Sequence, residues 1–341
     1  MARARDEAVT IKTIADAAKV HPSTVSRALN PDEAAKVSSA TVRRIQEIAK
    51  SLGYEPNPWA RSLRTHRTRT LGLVLPRLTD HVVARMFEGA EDRARELDYQ
   101  AIAVSTKDDP TVEERVANLL MERRVDGLVF ATSRLNNRFL PRIAARGTPF
   151  VLMNRSSGNH PVVRSDDELG GYLATRHLLA LGHKRVGCVA GPSDISTSTL
   201  RLTGYRKAHA EAGITINKSL VIHCDFSASA GIAAATQLLT ARQRPTAIVA
   251  VNDATAIGVA SVARDLGLRI PEDLSIVGHN DDQFAALLSV PLTTVRIPLV
   301  DMGRSSVDLL MHCIDGETPT SVVLTPSLIV RSSTAKFAGS R

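Results

Sequence analysis

The segment TIKTIADAAKVHPSTVSRALN, residues 10–30, contains two short apolar patterns with the spacing of amphipathic helices. The first begins after Thr10, a residue type that caps helix N-termini. The second begins at Pro22, because proline is favoured at the first helical position. A third pattern follows Ser38 and stops at Gly53. Three short helices, the first two joined by a turn at residues 19–21, predict a helix-turn-helix module.

The positive charge of the chain is concentrated around this module. Residues 1–70 hold 13 Lys and Arg against 7 Asp and Glu, whereas the other 271 residues of the 341 hold 30 against 28. A basic head on a nearly neutral body predicts binding of a polyanion by the head and a separate task for the body.

In a helix-turn-helix, the N-terminal side chains of the second helix reach base edges in the major groove. This position points to Pro22, Ser23 and Arg27, of which Arg27 can make a bidentate contact to guanine. Thr24 and Asn30 are short polar residues suited to phosphate contacts. The competing interpretation is a capped surface helix in a small bundle that binds nothing.

Beyond Gly53, the segment YEPNPWARSLRTHRTRT (54–70) has room for only a turn and a half of helix, from about residue 57 to 64, and a helix this short is marginal in water. It is predicted to be a linker that folds only against a partner.

From Leu71 onward, short apolar strands alternate with amphipathic helices, which predicts parallel sheets with ligand sites at the carboxyl ends of the strands. The number of strands favours two sheets over one. The predicted strands are 71–75, 101–105, 127–130, 150–153, 185–190, 247–251, 275–278 and 328–331, and the predicted helices are 83–97, 111–123, 135–146, 169–181, 200–212, 228–241 and 254–266.

Several classes of protein are disfavoured by what the sequence lacks. Its three cysteines have neither disulfide nor zinc spacing, and no window of about 18 uncharged apolar residues occurs. No motif of a hydrolase, a metalloprotease, a P-loop enzyme or a dinucleotide-binding enzyme is present. We therefore expect a cytoplasmic, nucleoid-associated protein that has no catalytic residues, no metal, no cofactor and no contact with a membrane.

These segments together resemble the lactose-repressor-like (LacI/GalR) family of bacterial transcription regulators. Matching stretches occur in the same order through head, linker and body, over residues 10–333: TIKTIADAAKVHPSTVSRALN, GYEPNPWARSL, RVDGLVF, GGYLATRHLLALGHKRVGCVAGP, RLTGYRKA, PTAIVAVNDATAIGV, PEDLSIVGHNDD and PLTTVRIP. The resemblance implies an all-α helix-turn-helix head (10–55), a hinge helix and linker (56–70), and an α/β body like that of periplasmic binding proteins (71–333), made of two doubly wound parallel-sheet subdomains.

The resemblance also implies roles in DNA binding. Leu63 falls where the family inserts a leucine into the operator minor groove, and an apolar wedge of this kind unstacks and kinks DNA. Arg61 and Arg64 flank it and can follow the groove or the phosphates. An alternative role for Leu63 is packing between two hinge helices. A pseudopalindromic double-stranded operator and a homodimer are implied, and the C-terminal segment lacks the leucine heptads of a tetramerising helix.

In the body, the resemblance implies a small-molecule effector between the subdomains. Arg201 and Asn252 would be polar ligands from the C-terminal half, and the loop around Val82 would form the opposite wall. A helix cap at Asn252 and a surface salt bridge at Arg201 are the alternatives. Asn280 stands where many sugar-responsive relatives have Asp, unless Asp281 shifts register, and Arg155 would add positive charge to the cleft.

Together these features predict an effector-responsive, sequence-specific transcriptional regulator, a repressor that controls genes for the use of a sugar or related metabolite. The two arginines, Arg201 and Arg155, and the missing carboxylate at Asn280 favour an anionic effector, such as a phosphorylated sugar or an organic acid, with a neutral sugar as the competing possibility. Whether the effector is an inducer or a corepressor remains open at this point. The alternatives from other classes are a cytosolic solute-binding protein with a vestigial DNA-binding head and an enzyme built on the same α/β body.

Overall fold

A computed structural model describes residues 9–30, 33–54 and 67–338 of the chain. They fall into two compact units, divided after Thr68. Because each unit has its own apolar core, each is described by itself.

The N-terminal unit is built from three helices: α1 (Ile11–Ala18), α2 (Pro22–Ala28) and α3 (Ser39–Ser51). The predicted caps are confirmed, since the hydroxyls of Thr10 and Ser38 accept hydrogen bonds from the backbone N–H groups of Thr13 and Thr41. Lys19 ends α1 in the left-handed conformation, with φ of 52°, which gives the sharp turn into α2. Buried residues from all three helices form one core: Ile14, Ala15, Ala18, Val25, Ala28, Ile45 and Ala49.

The first sheet of the body has the strand order β11-β5-β4-β3-β1-β2, and every neighbouring pair is parallel. Its strands are β1 (Thr70–Leu75), β2 (Gln100–Ser105), β3 (Gly127–Phe130), β4 (Phe150–Met153), β5 (Val162–Ser165) and β11 (Val322–Leu324). The associated helices are α4 (His81–Glu96), α5 (Pro110–Glu122), α6 (Leu140–Ala145) and α11 (Leu299–Ile314).

The second sheet has the order β12-β10-β9-β8-β6-β7 and is parallel except for the antiparallel edge pair β10–β12. Its strands are β6 (Val186–Ala190), β7 (Val221–His223), β8 (Ala247–Ala250), β9 (Ser275–Asn280), β10 (Thr293–Arg296) and β12 (Ser327–Ile329). The associated helices are α7 (Asp167–Ala180), α8 (Ser196–Glu211), α9 (Ala228–Leu239) and α10 (Asp253–Asp265).

The chain passes between the two sheets three times. It leaves the first sheet after β5, returns through α11 to add β11, and finally adds β12 to the second sheet. The helix pairs α4–α11 and α7–α8 pack closely through glycine: a Cβ at Gly89 would lie 2.1 Å from the Val300 carbonyl oxygen, and one at Gly171 would lie 2.1 Å from that of Arg201. Glycine at these two positions therefore lets the backbones of the paired helices approach each other closely.

One predicted helix is shorter than expected. The sequence pattern predicts a helix over 135–146, but α6 begins at Leu140. The Asn137 side chain accepts hydrogen bonds from the backbone N–H groups of Phe139 and Leu140, and so holds the preceding residues outside the helix. Among the described residues, no helix has the length and apolar character needed to span a membrane.

Candidate DNA-binding surface and effector site

The second helix of the head presents the side chains predicted to read bases. Pro22, Ser23 and Arg27 are exposed, whereas Val25 and Ala28 point into the core. Thr24 and Asn30, the predicted phosphate contacts, are half-buried. One face of α2 therefore packs in the bundle, and the opposite face, with Pro22, Ser23 and Arg27, is open to solvent. The contacts of these residues to DNA remain a prediction.

His21 is a residue of this surface that the sequence pattern did not indicate. Its Nδ1 atom caps α2 by accepting the Ser23 backbone N–H at 3.2 Å, and it lies 2.8 Å from the Ser23 hydroxyl. The imidazole therefore fixes the orientation of a predicted base-reading side chain. The three predicted hinge residues Arg61, Leu63 and Arg64 lie outside the described residues.

In the body, Arg201 is buried in an ion pair, which excludes a surface salt bridge. Its Nε atom donates to Asp167 Oδ1 at 2.8 Å, and Nη1 donates to the Val251 carbonyl oxygen at 2.7 Å. Burial raises the pKa of the Asp167 carboxyl, and the charge and hydrogen bond of Arg201 oppose this rise. The guanidinium is thus fixed beside the carboxyl end of β8.

Asn252 is a helix cap, as one of the two interpretations of the sequence predicts. Its Oδ1 atom accepts the backbone N–H of Thr255 at 2.8 Å, and the Thr255 hydroxyl completes a capping box at the start of α10. The amide nitrogen donates to the Phe226 carbonyl oxygen at 2.9 Å. Asn252 therefore ties the loop after β7 to the end of β8.

Asn280 ends β9 with a φ of 108°, and the next residue, Asp281, has a φ of 54°. Asp281 cannot replace the missing carboxylate at position 280. Its two carboxylate oxygens accept hydrogen bonds from Arg331 Nη2, at 2.6 Å, and from Arg296 Nε, at 2.7 Å. Both oxygens are therefore already paired within the protein. The possible shift of register is thereby excluded.

The structure corrects the prediction that Arg155 adds positive charge to the cleft. Its Nη1 and Nη2 atoms donate to the two oxygens of Asp108, at 2.6 and 3.4 Å. The side chain of Arg155 is 6% exposed, so little solvent screens this pair. Asp108 lies 47 residues earlier in the chain, and nothing in the local sequence indicates the pairing.

Phe226 places an aromatic ring beside Arg155. It lies in the loop between β7 and α9, and the central carbon of the Arg155 guanidinium is 5.5 Å from its ring centroid. A Cβ at Gly191 would meet both the Ser198 hydroxyl, at 2.2 Å, and the Phe226 ring, at 3.0 Å. Glycine at 191 therefore leaves the space in which the hydroxyl and the ring come together.

Val82 is half-buried and packs against the apolar core of the first sheet. Its backbone N–H donates to Asp80 Oδ1 at 2.9 Å, which caps α4. Burial raises the pKa of Asp80, Arg155 lowers it, and Asp282 and Asp108 raise it. Asp80 therefore interacts electrostatically with charged groups in the loops of both sheets, while a role of Val82 in effector binding remains a prediction.

Six buried polar side-chain atoms have no hydrogen-bond partner among the described residues. Four are hydroxyl or amide oxygens near the carboxyl ends of the strands: Ser133 Oγ after β3, Asn154 Oδ1 after β4, Ser198 Oγ after β6 and Asn280 Oδ1 at the end of β9. The other two are Asp167 Oδ2 and His279 Nε2. Buried polar groups without partners are costly, so they favour a ligand that supplies hydrogen bonds.

The loops of the two sheets also contact each other directly. The Ser156 backbone N–H donates to the Ser196 hydroxyl at 2.8 Å, and the Leu135 N–H donates to the Asp194 carbonyl oxygen at 2.9 Å. The side chains of Arg134 and Asp194 form an ion pair. A polar site therefore lies between two sheets that approach each other through their carboxyl-end loops.

A helix-turn-helix head and a two-sheet body with a polar cleft define a DNA-binding regulator with a ligand-binding body. The head, residues 10–57, matches the model of bacterial regulatory proteins of the lacI family. Residues 175–334 match a periplasmic binding protein-like domain.

Similar proteins match over nearly the whole chain. The HTH-type transcriptional repressor PurR of Photobacterium profundum is 32% identical over 329 residues, which cover 95% of this chain and 98% of the relative. The ribose operon repressor of Escherichia coli (strain K12) is 33% identical over 331 residues, 95% of this chain and 99% of the relative. Among solved structures, the lac repressor dimer bound to operator and the anti-inducer ONPF superposes with a TM-score of 0.84 at 26% identity, and covers 96% of this chain and 100% of that chain.

The chain belongs to the LacI family of bacterial regulatory proteins, and the predicted fold class is confirmed. It is an effector-responsive transcriptional regulator, and its interpretation as a repressor is favoured over that of a solute-binding protein with a vestigial head. Its relatives are transcription regulators and not enzymes.

Proposed function

We propose that this repressor binds a pseudopalindromic operator as a homodimer and responds to an uncharged, polyhydroxylated metabolite of sugar type. The observation that carries the proposal is the composition of the cleft: unpartnered hydroxyl and amide groups beside arginines whose charges are already neutralised. The chain would act in the cytoplasm, on DNA of the nucleoid, with the head over 10–55, the hinge over 56–70 and the body over 71–333.

The hydrogen-bonding groups support an uncharged ligand. Ser133 and Ser198 each carry a hydroxyl that can donate and accept, and Asn280 adds an amide. Sugar hydroxyls have the same dual capacity, so each contact can satisfy a donor and an acceptor at once. Phe226 adds an apolar ring against which the face of a sugar ring can pack.

The charges argue against an anion. Arg201 is paired with Asp167 and Arg155 with Asp108, and Asp80 adds a further carboxyl near Arg155. An anion entering here would meet at least as many carboxylates as guanidinium groups. Coulomb repulsion in a partly desolvated cleft would oppose its binding.

The proposed route from effector to operator runs through the subdomains. An effector held between the loops of both sheets would bias their relative orientation, and so the pairing of the two hinge segments that carry Leu63. The coupling must be reciprocal, because two linked binding equilibria change each other's affinity by the same factor.

The test combines ligand screening with DNA binding. Thermal shift of the full chain against matched pairs, each a sugar and its phosphate, identifies ligands that stabilise the native state. Each hit is then titrated into a mobility-shift assay with an operator selected in vitro from random DNA. We expect uncharged sugars to change operator affinity and their phosphates to have no effect. The direction of the change identifies an inducer or a corepressor, and activity of the phosphates alone would refute the proposal.

A further inference from the structure

The carboxylate of Asp108 is placed by an unusual stretch of backbone. Lys107 and Asp108, between β2 and α5, both adopt positive φ values, 55° and 62°. Two consecutive non-glycine residues in the left-handed region are disfavoured, and such strain persists only where other interactions hold it. Here the backbone N–H of Asp108 donates to the Thr106 hydroxyl at 3.1 Å, and its carbonyl oxygen accepts from Arg134 Nη2 at 3.2 Å.

In this backbone conformation, the Asp108 carboxylate bonds to the guanidinium of Arg155. Both oxygens of Asp108 bond to Arg155, and the Asp108 side chain is 23% exposed. The Arg155 guanidinium makes its other described contacts to the Thr132 carbonyl oxygen, at 3.5 Å, and to the Phe226 ring. Asp108 therefore neutralises the charge of Arg155. The Arg155 guanidinium in turn lies over the Phe226 ring of the proposed effector site.

We propose that Asp108 is the specificity-determining residue that excludes anionic ligands from the effector site. Its carboxylate occupies the face of Arg155 that a phosphate or carboxylate group of a ligand would otherwise bind in the same bidentate manner. The Asp80 carboxyl interacts electrostatically with both Arg155 and Asp108, and therefore adds to the exclusion. The inference rests on the proposed function, since it concerns selectivity at the same site.

Asp108 also borders a cavity that Arg155 does not line. The cavity has a volume of about 260 Å³, and besides Arg134 and Asn137 it is lined by the further carboxylates of Asp109, Glu113 and Glu114. Removing the charge of Asp108 would leave the Arg155 guanidinium without its bidentate counter-ion. The same change would convert a cleft that repels anions into one that binds them.

The test uses inorganic phosphate as the probe and the full-length protein. Asp108→Asn is the decisive variant, because asparagine tolerates the left-handed conformation at this position, removes the charge and keeps one acceptor oxygen for Arg155. Asp80→Asn/Asp108→Asn removes the second carboxyl while keeping an amide that can cap α4. Asp108→Asn/Arg155→Met is the matched control that removes the cation as well. The melting temperature of each protein is measured in sodium phosphate and in sodium chloride at equal ionic strength.

We expect wild type to show only a weak phosphate response, attributable to the basic head and therefore unchanged by Arg155→Met. Asp108→Asn should bind phosphate at least about tenfold more tightly than wild type, and the double carboxyl variant more tightly still. The response should return to the wild-type level in Asp108→Asn/Arg155→Met.

Two results would overturn the inference. One is an equal phosphate response in wild type and Asp108→Asn, with circular dichroism confirming that the variant is folded. If Asp108→Asn does not fold, Asp108→Ser takes its place. The other is a wild-type phosphate response that Arg155→Met abolishes, because the guanidinium would then be free to bind anions despite Asp108. If no uncharged metabolite alters operator binding, the proposed function fails, while the phosphate comparison still reports on Asp108.

Discussion

The Arg201 guanidinium and the Asp167 carboxylate form a buried ion pair that joins α8 to the first residue of α7, with Nε 2.8 Å from Oδ1. The Asp167 side chain is fully buried and that of Arg201 is 9% exposed. Because Arg201 also bonds to the carbonyl oxygen of Val251, the pair connects two helices to the end of β8. A ligand that contacts Arg201 is therefore coupled to the packing of the second subdomain.

Asp167→Asn should strongly destabilise the body. The substitution leaves the Arg201 guanidinium buried without its counter-ion, which costs about 3–5 kcal/mol when one partner of a buried pair is removed. Urea unfolding followed by circular dichroism measures the change. Asp166→Asn is the matched control: Asp166 Oδ1 caps α7 by accepting the Leu169 N–H, and asparagine caps equally well. Equal losses in both variants would show that the charge of the pair is not what stabilises this region.

Two substitutions at Asn252 separate its two contacts. Asn252→Ala removes the cap of α10 and should cost about 1 kcal/mol of unfolding free energy. Asn252→Ser restores a capping oxygen for Thr255 but not the hydrogen bond to the Phe226 carbonyl oxygen. We expect serine to recover most of the stability but not the affinity for an uncharged effector found by screening, as measured by calorimetry. Full recovery of both would mean that the tie to Phe226 does not position the ring.

The site should also respond to pH through Asp253. This carboxyl is buried beside Asn252, and its pKa is raised to about 7, mainly by burial and further by Asp281 and Asp282, while hydrogen bonds from Thr294 and the Asp282 backbone lower it. Because the folded state favours the protonated form, the contribution of Asp253 to stability is fully present below about pH 4 and is lost as pH rises through about 7.

The comparison with Asp253→Asn isolates this effect from other carboxyls. Asparagine can accept from the Asp282 N–H and donate to the Thr294 hydroxyl without titrating. The free energy of unfolding of wild type relative to this variant should therefore fall between about pH 4 and pH 7, by an amount of order 1 kcal/mol or more. Parallel pH profiles for the two proteins would show that Asp253 does not titrate in this window.

The sequence predicts those elements whose apolar pattern is long or strictly bounded. Strands β3 and β4 have the predicted ends, and the caps at Thr10 and Ser38 are where residue chemistry puts them. The pattern missed β5, β7, β10 and β11, which are only three or four residues long, and it missed α11. Length alone does not explain this difference, because β3 and β4 are also four residues long. Those two strands are uninterrupted apolar runs, GLVF and FVLM, whereas β5, β7 and β10 contain polar or charged residues (VVRS, VIH and TTVR) and β11 has only the three residues VVL.

The site shows the same division between local and long-range information. Asn252 lies at the end of a predicted strand and start of a predicted helix, so its capping role could be anticipated from its neighbours. The pairing of Arg155 with Asp108, and of Arg201 with Asp167, depends on how distant loops converge, and no local pattern encodes it. The charge expected for the cleft was wrong for this reason: the arginines were visible in the sequence and their partners were not.

The last prediction concerns the head. Arg27 is exposed on α2, on the side opposite the buried Val25 and Ala28, as direct contact with a base edge requires. A bidentate arginine–guanine contact contributes about 1–3 kcal/mol of discrimination, so Arg27→Ala should weaken operator binding by that amount and barely change binding to a scrambled duplex. Arg27→Lys is the matched control, because it keeps the positive charge but loses the two-pronged geometry. Fluorescence anisotropy at one fixed salt concentration, on both duplexes, measures all three proteins. If Arg27→Lys retains full operator affinity, or if Arg27→Ala weakens both duplexes equally, Arg27 contacts phosphate and sequence is read by other residues of α2.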